Sequence, residues 1–229
     1  MNLSNRLLAC CGFVNPGDRV ADIGCDHGYL GIHLLLDGKA RSVIASDIHA
    51  APLECARRNA QKYGVSSKMS FYLSDGLLGL PRDFDCVICA GMGADTIISI
   101  LERAPWLKMG SYRLILQCQS KRPQLRSYLS RNGFTISRET LAKDGRFVYP
   151  VMEVLCTPSQ PLSPEECFLS PALLCSGSPL LPEFRDRVLA GLDKTVEGLS
   201  SAGGEKYEAY LALRKSVAAL RVFEKGENA

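Results

Sequence analysis

Five apolar runs in the first half of the chain each stop at an acid, a glycine or a polar turn, and helical patterns separate the early ones. Arg19–Ile23 ends at Gly24, Val43–Asp47 ends in its own carboxylate, and Met69–Leu73 ends at Ser74-Asp75-Gly76. Phe84–Ala90 ends at Gly91-Met92-Gly93, and Tyr112–Cys118 is the fifth run. Between them, Gly28 to about Leu36 reads as a helix. Leu53 to about Tyr63 reads as another, with Cys55, Ala56 and Ala60 on one side and Arg57, Arg58 and Lys62 on the other. Short, wholly apolar strands alternating with helices predict an α/β fold with a parallel sheet covered on both faces. Phe134–Ile136 and Phe147–Leu155 flank the turn Lys143-Asp144-Gly145 with no long helix between them, which predicts an antiparallel hairpin at one edge of that sheet.

The composition changes near Thr157. Pro158, Pro161, Pro164, Pro171, Pro179 and Pro182 punctuate a linker-like stretch. Phe184 to Leu199 then carries Val188, Leu192, Val196 and Leu199 on one stripe, interrupted by Gly191. After Gly203-Gly204, Tyr207, Tyr210, Leu211, Leu213, Val217 and Leu220 make another. The expected organisation is an α/β domain over 1–157, then a proline-rich linker and two antiparallel helices over 158–229. The hairpin either packs on the core or projects as an arm toward a partner.

The chain of 229 residues, 46% hydrophobic, suffices for one sizeable core and an appendage. No apolar run reaches the roughly 20 residues a membrane helix needs, and Met1–Arg6 does not read as an export leader. A reducing cytoplasm is therefore expected, and with it free thiols. Cys25, Cys86, Cys89 and Cys118 lie in or beside strand-like segments, where cysteine acts as a small hydrophobe. Cys86-Val87-Ile88-Cys89 has metal spacing but lacks a second pair, and an extended strand points its thiols to opposite faces, so no metal is expected. Through Cys156 the chain holds 19 Lys and Arg against 14 Asp and Glu, and the remainder 8 against 10. The basic half is the one that could meet a polyanion.

The strand ends carry the chemistry. Asp22-Ile23-Gly24-Cys25-Asp26-His27-Gly28 closes the first strand and opens a helix, so Gly24 and Gly28 would let backbone approach a ligand beside free amide donors. A dinucleotide fingerprint reads G-x-G-x-x-G, whereas this segment reads D-x-G-x-x-x-G. An acid ahead of the glycines suits a ligand with an ammonium and a sulfonium better than one with phosphates. Asp47, followed by Ile48, is placed to accept ribose hydroxyls. Asp75-Gly76 is placed to hold an adenine amino group, and Gly91-Met92 to wall the ligand. Ligands of open parallel sheets bind outside the carboxyl ends of the strands, where all these groups gather.

Leu3-Ser4-Asn5-Arg6-Leu7, Ala21–Leu30, Asp75-Gly76-Leu77, Ala90-Gly91-Met92-Gly93 and Leu114-Ile115-Leu116-Gln117 resemble the bacterial tRNA (adenine-N1)-methyltransferases that modify position 22 of tRNA, a family of class I methyltransferases. The resemblance spans essentially the whole chain. It implies a Rossmann-like domain with a C-terminal helical pair, S-adenosylmethionine as cofactor and tRNA as substrate. It also implies cofactor contacts at Asp22, Gly24, Asp47, Asp75 and Gly91, with Asp26 and Met92–Gly93 facing the target base. Where that family reads Gln-Pro-Asn, this chain reads Gln117-Cys118-Gln119, so Gln119 would offer its amide instead.

The ring N1 of neutral adenine has its own lone pair, so alignment is the main task. An oxygen accepting the exocyclic amino proton would stabilise the cation that develops in the ring. Asp26 is the first candidate, with a helix N-cap as its alternative role; Gln117 and Gln119 are the second. His27 and Tyr29 could position or stack on the base. The base must leave its stack to be reached. Arg6, Lys121, Arg122, Arg126 and Arg131 are the candidate phosphate contacts, three of them at roughly helical spacing. Methylation of another RNA or a small molecule stays open, as does a non-catalytic nucleotide-binding module. A monomer is favoured.

Overall fold

The computed structural model describes residues 2–222. Seven strands form one sheet in the order β3-β2-β1-β4-β5-β7-β6. They are β1 (Asp18–Ile23), β2 (Ala40–Asp47), β3 (Met69–Leu73), β4 (Cys86–Met92), β5 (Arg113–Cys118), β6 (Thr135–Asp144) and β7 (Phe147–Leu155). Around them lie α1 (Asn5–Phe13), α2 (Tyr29–Leu36), α3 (Ala50–Lys62), α4 (Ala94–Glu102) and α5 (Arg122–Arg131). β1 to β5 pair in parallel, and β7 runs against both β5 and β6. The Rossmann-like α/β reading therefore holds. In the edge hairpin the inner strand is the antiparallel one, and outermost β6 runs with the rest.

Both sheet faces are dry because successive residues of each strand point to opposite sides. Ala21, Ile23, Val87, Cys89, Leu114 and Leu116 pack under α4 and α5. Val20, Val43, Ala45, Cys86, Ile88 and Ile115 pack under α1, α2 and α3. Cys86 and Cys89 thus sit on opposite faces, and Cys86 is pushed out of the ordinary thiol range by burial.

Several elements differ from the sequence reading, three of them near the site. β6 has ten residues rather than the three of Phe134–Ile136, because its alternating polar side chains lack the apolar run that marked the inner strands. β4 continues through Gly91 and Met92 by way of a bulge, instead of ending at Ala90. Helix α1, whose Leu7, Cys10 and Cys11 pack on the core at helical spacing, lies ahead of the strand–helix alternation and is not among the expected elements. It is held from outside: Asp144, at the end of β6, accepts the Asn5 N–H at 2.8 Å and the Arg6 N–H at 3.3 Å. A carboxylate from another element thus caps the helix, and Ser4 at its N-cap position makes no side-chain bond.

After β7 the proline-rich stretch is packed rather than loose. Leu169, Leu173 and Leu174, the last two in the short helix α6 (Pro171–Leu174), are buried against Leu141 of β6 and Val148 of β7. α7 (Leu181–Ser200) and α8 (Gly204–Ala219) then form the expected hairpin, with helix continuing through Gly191. Leu181, Phe184, Leu192 and Val217 are its buried residues. Val188, Val196 and Leu199 are only half-buried. Arg214 of α8 grips Asp193 of α7 at 2.8 Å.

Candidate active site at the carboxyl ends of the strands

The loops leaving β1, β2 and β3 are tied together by backbone. Cys25 N–H donates to Ser46 C=O at 2.9 Å, and Ser74 N–H donates to Asp47 C=O at 2.9 Å. Beside them opens a cleft of about 310 Å³, lined among others by Arg6, Asp22, Gly24, Asp26, Tyr29 and Gly91. Its elements come from both sides of the point where strand order reverses between β1 and β4, where open α/β sheets bind ligands.

At the cleft's floor, Asp22 is only 4% exposed. Burial, the largest cause, raises its carboxyl to about 7; the Gly31 backbone N–H opposes the shift and Asp47 adds to it. Among the described residues Oδ2 has no hydrogen-bond partner. An orphaned buried carboxylate oxygen costs about 1–3 kcal/mol or more unless a donor meets it. At the wall of a cavity, the fitting donor is a cationic group of a ligand.

Gly24 and Gly91 shape the walls. Gly24 has φ +69°, and a Cβ there would lie 2.4 Å from Met92 Cε, so the methionine closes over the glycine. Gly91, φ +81°, is the extra residue of the β4 bulge. A bulge leaves an amide outside the ladder, and here Gln117 Oε1 accepts the Gly91 N–H at 2.9 Å and an Arg6 guanidinium N–H at 3.1 Å. Arg6 is thereby fixed as a wall of the cleft, with Asp144 3.7 Å from its Nε. Arg6, expected among the phosphate contacts, is thus a cleft wall braced by Gln117 and Asp144. The helix-capping geometry that joins them links segments over a hundred residues apart.

Asp26 occupies the rim in the left-handed region, φ +51°, with its side chain 71% exposed. Asp47 holds it there, accepting the Asp26 N–H at 3.1 Å through Oδ2 while Oδ1 accepts the His49 N–H at 2.9 Å. Asp26 is not a helix cap: the N-cap of α2 is Gly28, with no side-chain bond. His27 and Tyr29 share the rim, their rings 6.1 Å apart. The rim thus offers a carboxylate and two rings to whatever enters.

Several other assignments change. Gln117 was a candidate acceptor for a base amino group, but it is fully buried and its oxygen already serves Gly91 and Arg6. Gly28 is also required by packing, since a Cβ there would meet Ala56 Cβ at 2.8 Å. Arg126 is 0% exposed, its guanidinium 2.5 Å from Glu139 and bonded to the carbonyls of Cys167 and Phe168, so it cannot reach a phosphate. Asp75 lies outside the cleft wall, in an ion pair with Arg103 at 2.5 Å and 2.9 Å that lowers its carboxyl. Gly76 packs on Ile100, and Ile48 is exposed. Lys121 is exposed and paired with Asp95 at 2.6 Å, Arg131 is exposed, Arg122 is half-buried, and Gln119 is exposed one step beyond the cleft.

Fold and site together define a Rossmann-like α/β domain built to hold a small ligand over the ends of β1 and β4. The methyltransferase domain family matches residues 3–152, and the chain belongs to that family. Over 153 residues it is 32% identical to the tRNA (adenine(22)-N(1))-methyltransferase of Bacillus subtilis, an alignment covering 66% of this chain and 64% of that protein. Over 160 residues it is 34% identical to a putative tRNA methyltransferase of Mycoplasma genitalium, covering 68% of this chain and 70% of that one. Among solved structures, a putative tRNA (m1A22) methyltransferase of Streptococcus pneumoniae superposes with a TM-score of 0.82 at 27% identity, covering 95% of this chain and 97% of the other. The same protein solved with S-adenosyl-L-methionine gives 0.79. The similarity to the solved proteins therefore extends through the C-terminal hairpin.

Proposed function

We propose that the chain transfers a methyl group from S-adenosylmethionine to N1 of an adenine in tRNA, the base at position 22. The observation that carries this reading is the unpartnered, buried Asp22 Oδ2 on the cleft wall, placed to receive the cofactor's ammonium. Gly24 and Gly91 supply close backbone approach, and the carboxyl end of β2 at Asp47 and Ile48 lies where a ribose would rest. Asp75 and Gly76 would reach the adenine end once Asp75 exchanges Arg103 for a ligand amino group. The named relatives in Bacillus and Streptococcus supply the substrate.

When bound, the cofactor supplies an activated methyl group. The chain's own task is to bring adenine N1 in line with it. Asp26, held by Asp47 at the mouth, accepts a hydrogen bond from the exocyclic amino group and favours the charge that grows in the ring. Gln119 is the second candidate, its side-chain amide lying beside Gly91, and Tyr29 and His27 flank the base. Lys121, Arg122 and Arg131 remain the cations for the backbone. We further propose that 1–157 carries the chemistry and 158–229 positions the RNA, in a cytoplasmic monomer. Incubation with unmodified tRNA and S-adenosylmethionine followed by nucleoside mass spectrometry tests this. 1-Methyladenosine is the expected product, and its absence from tRNA ends the reading.

A further inference from the structure

A second cavity, about 510 Å³, adjoins the cleft between Gly93 and Gln119 on one side and Phe147, Tyr149 and α7 on the other. Its size lies in the range of small-ligand sites. No Asp or Glu lines it. The two cavities abut: a Cβ on Gly91 would lie 3.8 Å from Gln119 Nε2, and Gly91 and Gly93, only two residues apart, line one cavity each.

Arg122 is the central cation of this second space. Among the described residues it has no carboxylate partner. Its guanidinium lies over the Phe184 ring at 5.3 Å and makes one long bond, 3.4 Å, to Val148 C=O. Burial, then the charge of Arg126, pulls it below the ordinary guanidinium range. A half-buried cation short of partners is one that an anion would satisfy. Arg187 adds a second charge, shared with Glu183 at 2.8 Å. Across the space, Phe147 and Tyr149 stand two apart on β7 and so share a face, rings 6.0 Å apart. Phe147 remains 48% exposed, with the Arg146 guanidinium over its ring at 5.0 Å, a cation that leaves the rest of the ring to solvent and adds charge beside it.

An under-satisfied guanidinium opposite a partly exposed aromatic pair, with a further guanidinium at the Phe147 ring, is the donor set for a phosphate joined to a base. We propose that this cavity is a subsite for the nucleotide adjoining the target in the RNA chain, with its phosphate on Arg122 and its base stacked on Phe147. Such a site explains how a base drawn out of its stack is kept out: the neighbouring nucleotide is held at the same time, in a cavity one backbone step away. This inference rests on the tRNA reading above.

Steady-state methylation of a tRNA transcript by wild type, Phe147→Ala, Phe147→Trp and Arg122→Gln tests it, with cofactor affinity measured alongside. Phe147→Ala is expected to raise the KM for tRNA about tenfold, the size of a lost base–aromatic stack. Phe147→Trp should restore it, and both variants should bind S-adenosylmethionine as wild type does. Arg122→Gln should reduce the salt slope of tRNA binding by about one. Phe147 is exposed, so its variants keep the test valid should Arg122→Gln fold poorly. Turnover by wild type with an unchanged KM in Phe147→Ala overturns the subsite alone. No turnover of tRNA by wild type overturns the substrate reading and the subsite with it.

Discussion

The Asp26 backbone N–H donates to Asp47 Oδ2 at 3.1 Å, so the rim carboxylate hangs from the end of the second strand. This bond holds a non-glycine residue at φ +51°, a conformation that costs of order 1–3 kcal/mol and persists only where surroundings impose it. Asp47→Ala removes the acceptor for both Asp26 and His49. It is expected to weaken S-adenosylmethionine by about 1–3 kcal/mol and to lower kcat as well, because Asp26 loses its placement. Calorimetric titration and single-turnover kinetics read the two effects separately. Unchanged affinity removes Asp47 from the site.

Asp26→Asn addresses the rim group itself. The amide keeps the shape and one oxygen but loses the charge that favours a developing ring cation. Cofactor affinity should hold while kcat and kcat/KM for tRNA fall together, the pattern of an interaction made in the transition state. Full activity in this variant would leave Asp26 as a turn residue.

Asp22 gives a pH dependence with a definite sign. Its folded carboxyl titrates at about 7, above the unfolded value of about 3.9. Between those values the folded state holds a proton that the unfolded chain has lost. Stability of the ligand-free protein therefore falls as pH rises through that window and levels off above it. Cofactor binding runs the other way. The ammonium pairs with the ionised form, so affinity is highest above pH 7 and declines about tenfold per unit below it, until the bound-state value is reached. Asp22→Asn should abolish that slope, weaken binding at pH 8 and leave the ligand-free fold at least as stable. A flat affinity profile in the wild type, from pH 5.5 to 8, would contradict the pairing.

The strand-end acids and the parallel core were legible because they depend on local pattern: apolar runs of strand length, each stopped by Asp or Gly. The capping of helix α1 and the wall position of Arg6 were not, since both involve Asp144, a residue distant in sequence, and the length of β6 was not, because polar side chains interrupt its apolar pattern. Gln117 shows the same limit from another side. Its position at the end of β5 suggested a substrate contact, yet the bulge at Gly91 creates an unpaired amide that the Gln117 oxygen must satisfy. Gly28 carries a packing requirement that no local pattern shows, because Ala56 of α3 lies against it.

Arg126 separates the two readings of the basic run after β5. Helical spacing put it with Arg122 and Arg131 on one candidate RNA face, but α5 turns it inward to Glu139, whose other oxygen accepts the Ser170 hydroxyl. The guanidinium also bonds the Cys167 and Phe168 carbonyls, so this one side chain fastens the proline-rich segment to the sheet. Arg126→Ala strands the Glu139 carboxylate in the interior, which costs about 3–5 kcal/mol. Replacing both partners with apolar residues, Arg126→Met with Glu139→Leu, should recover much of that loss. Arg131→Glu, on the exposed end of the same helix, should leave stability within about 0.5 kcal/mol while weakening tRNA binding and flattening its salt dependence. Denaturant unfolding and filter binding at several salt concentrations measure both quantities on the same samples. Near-native stability in Arg126→Ala would mean that the buried pair does not hold the C-terminal segment in place.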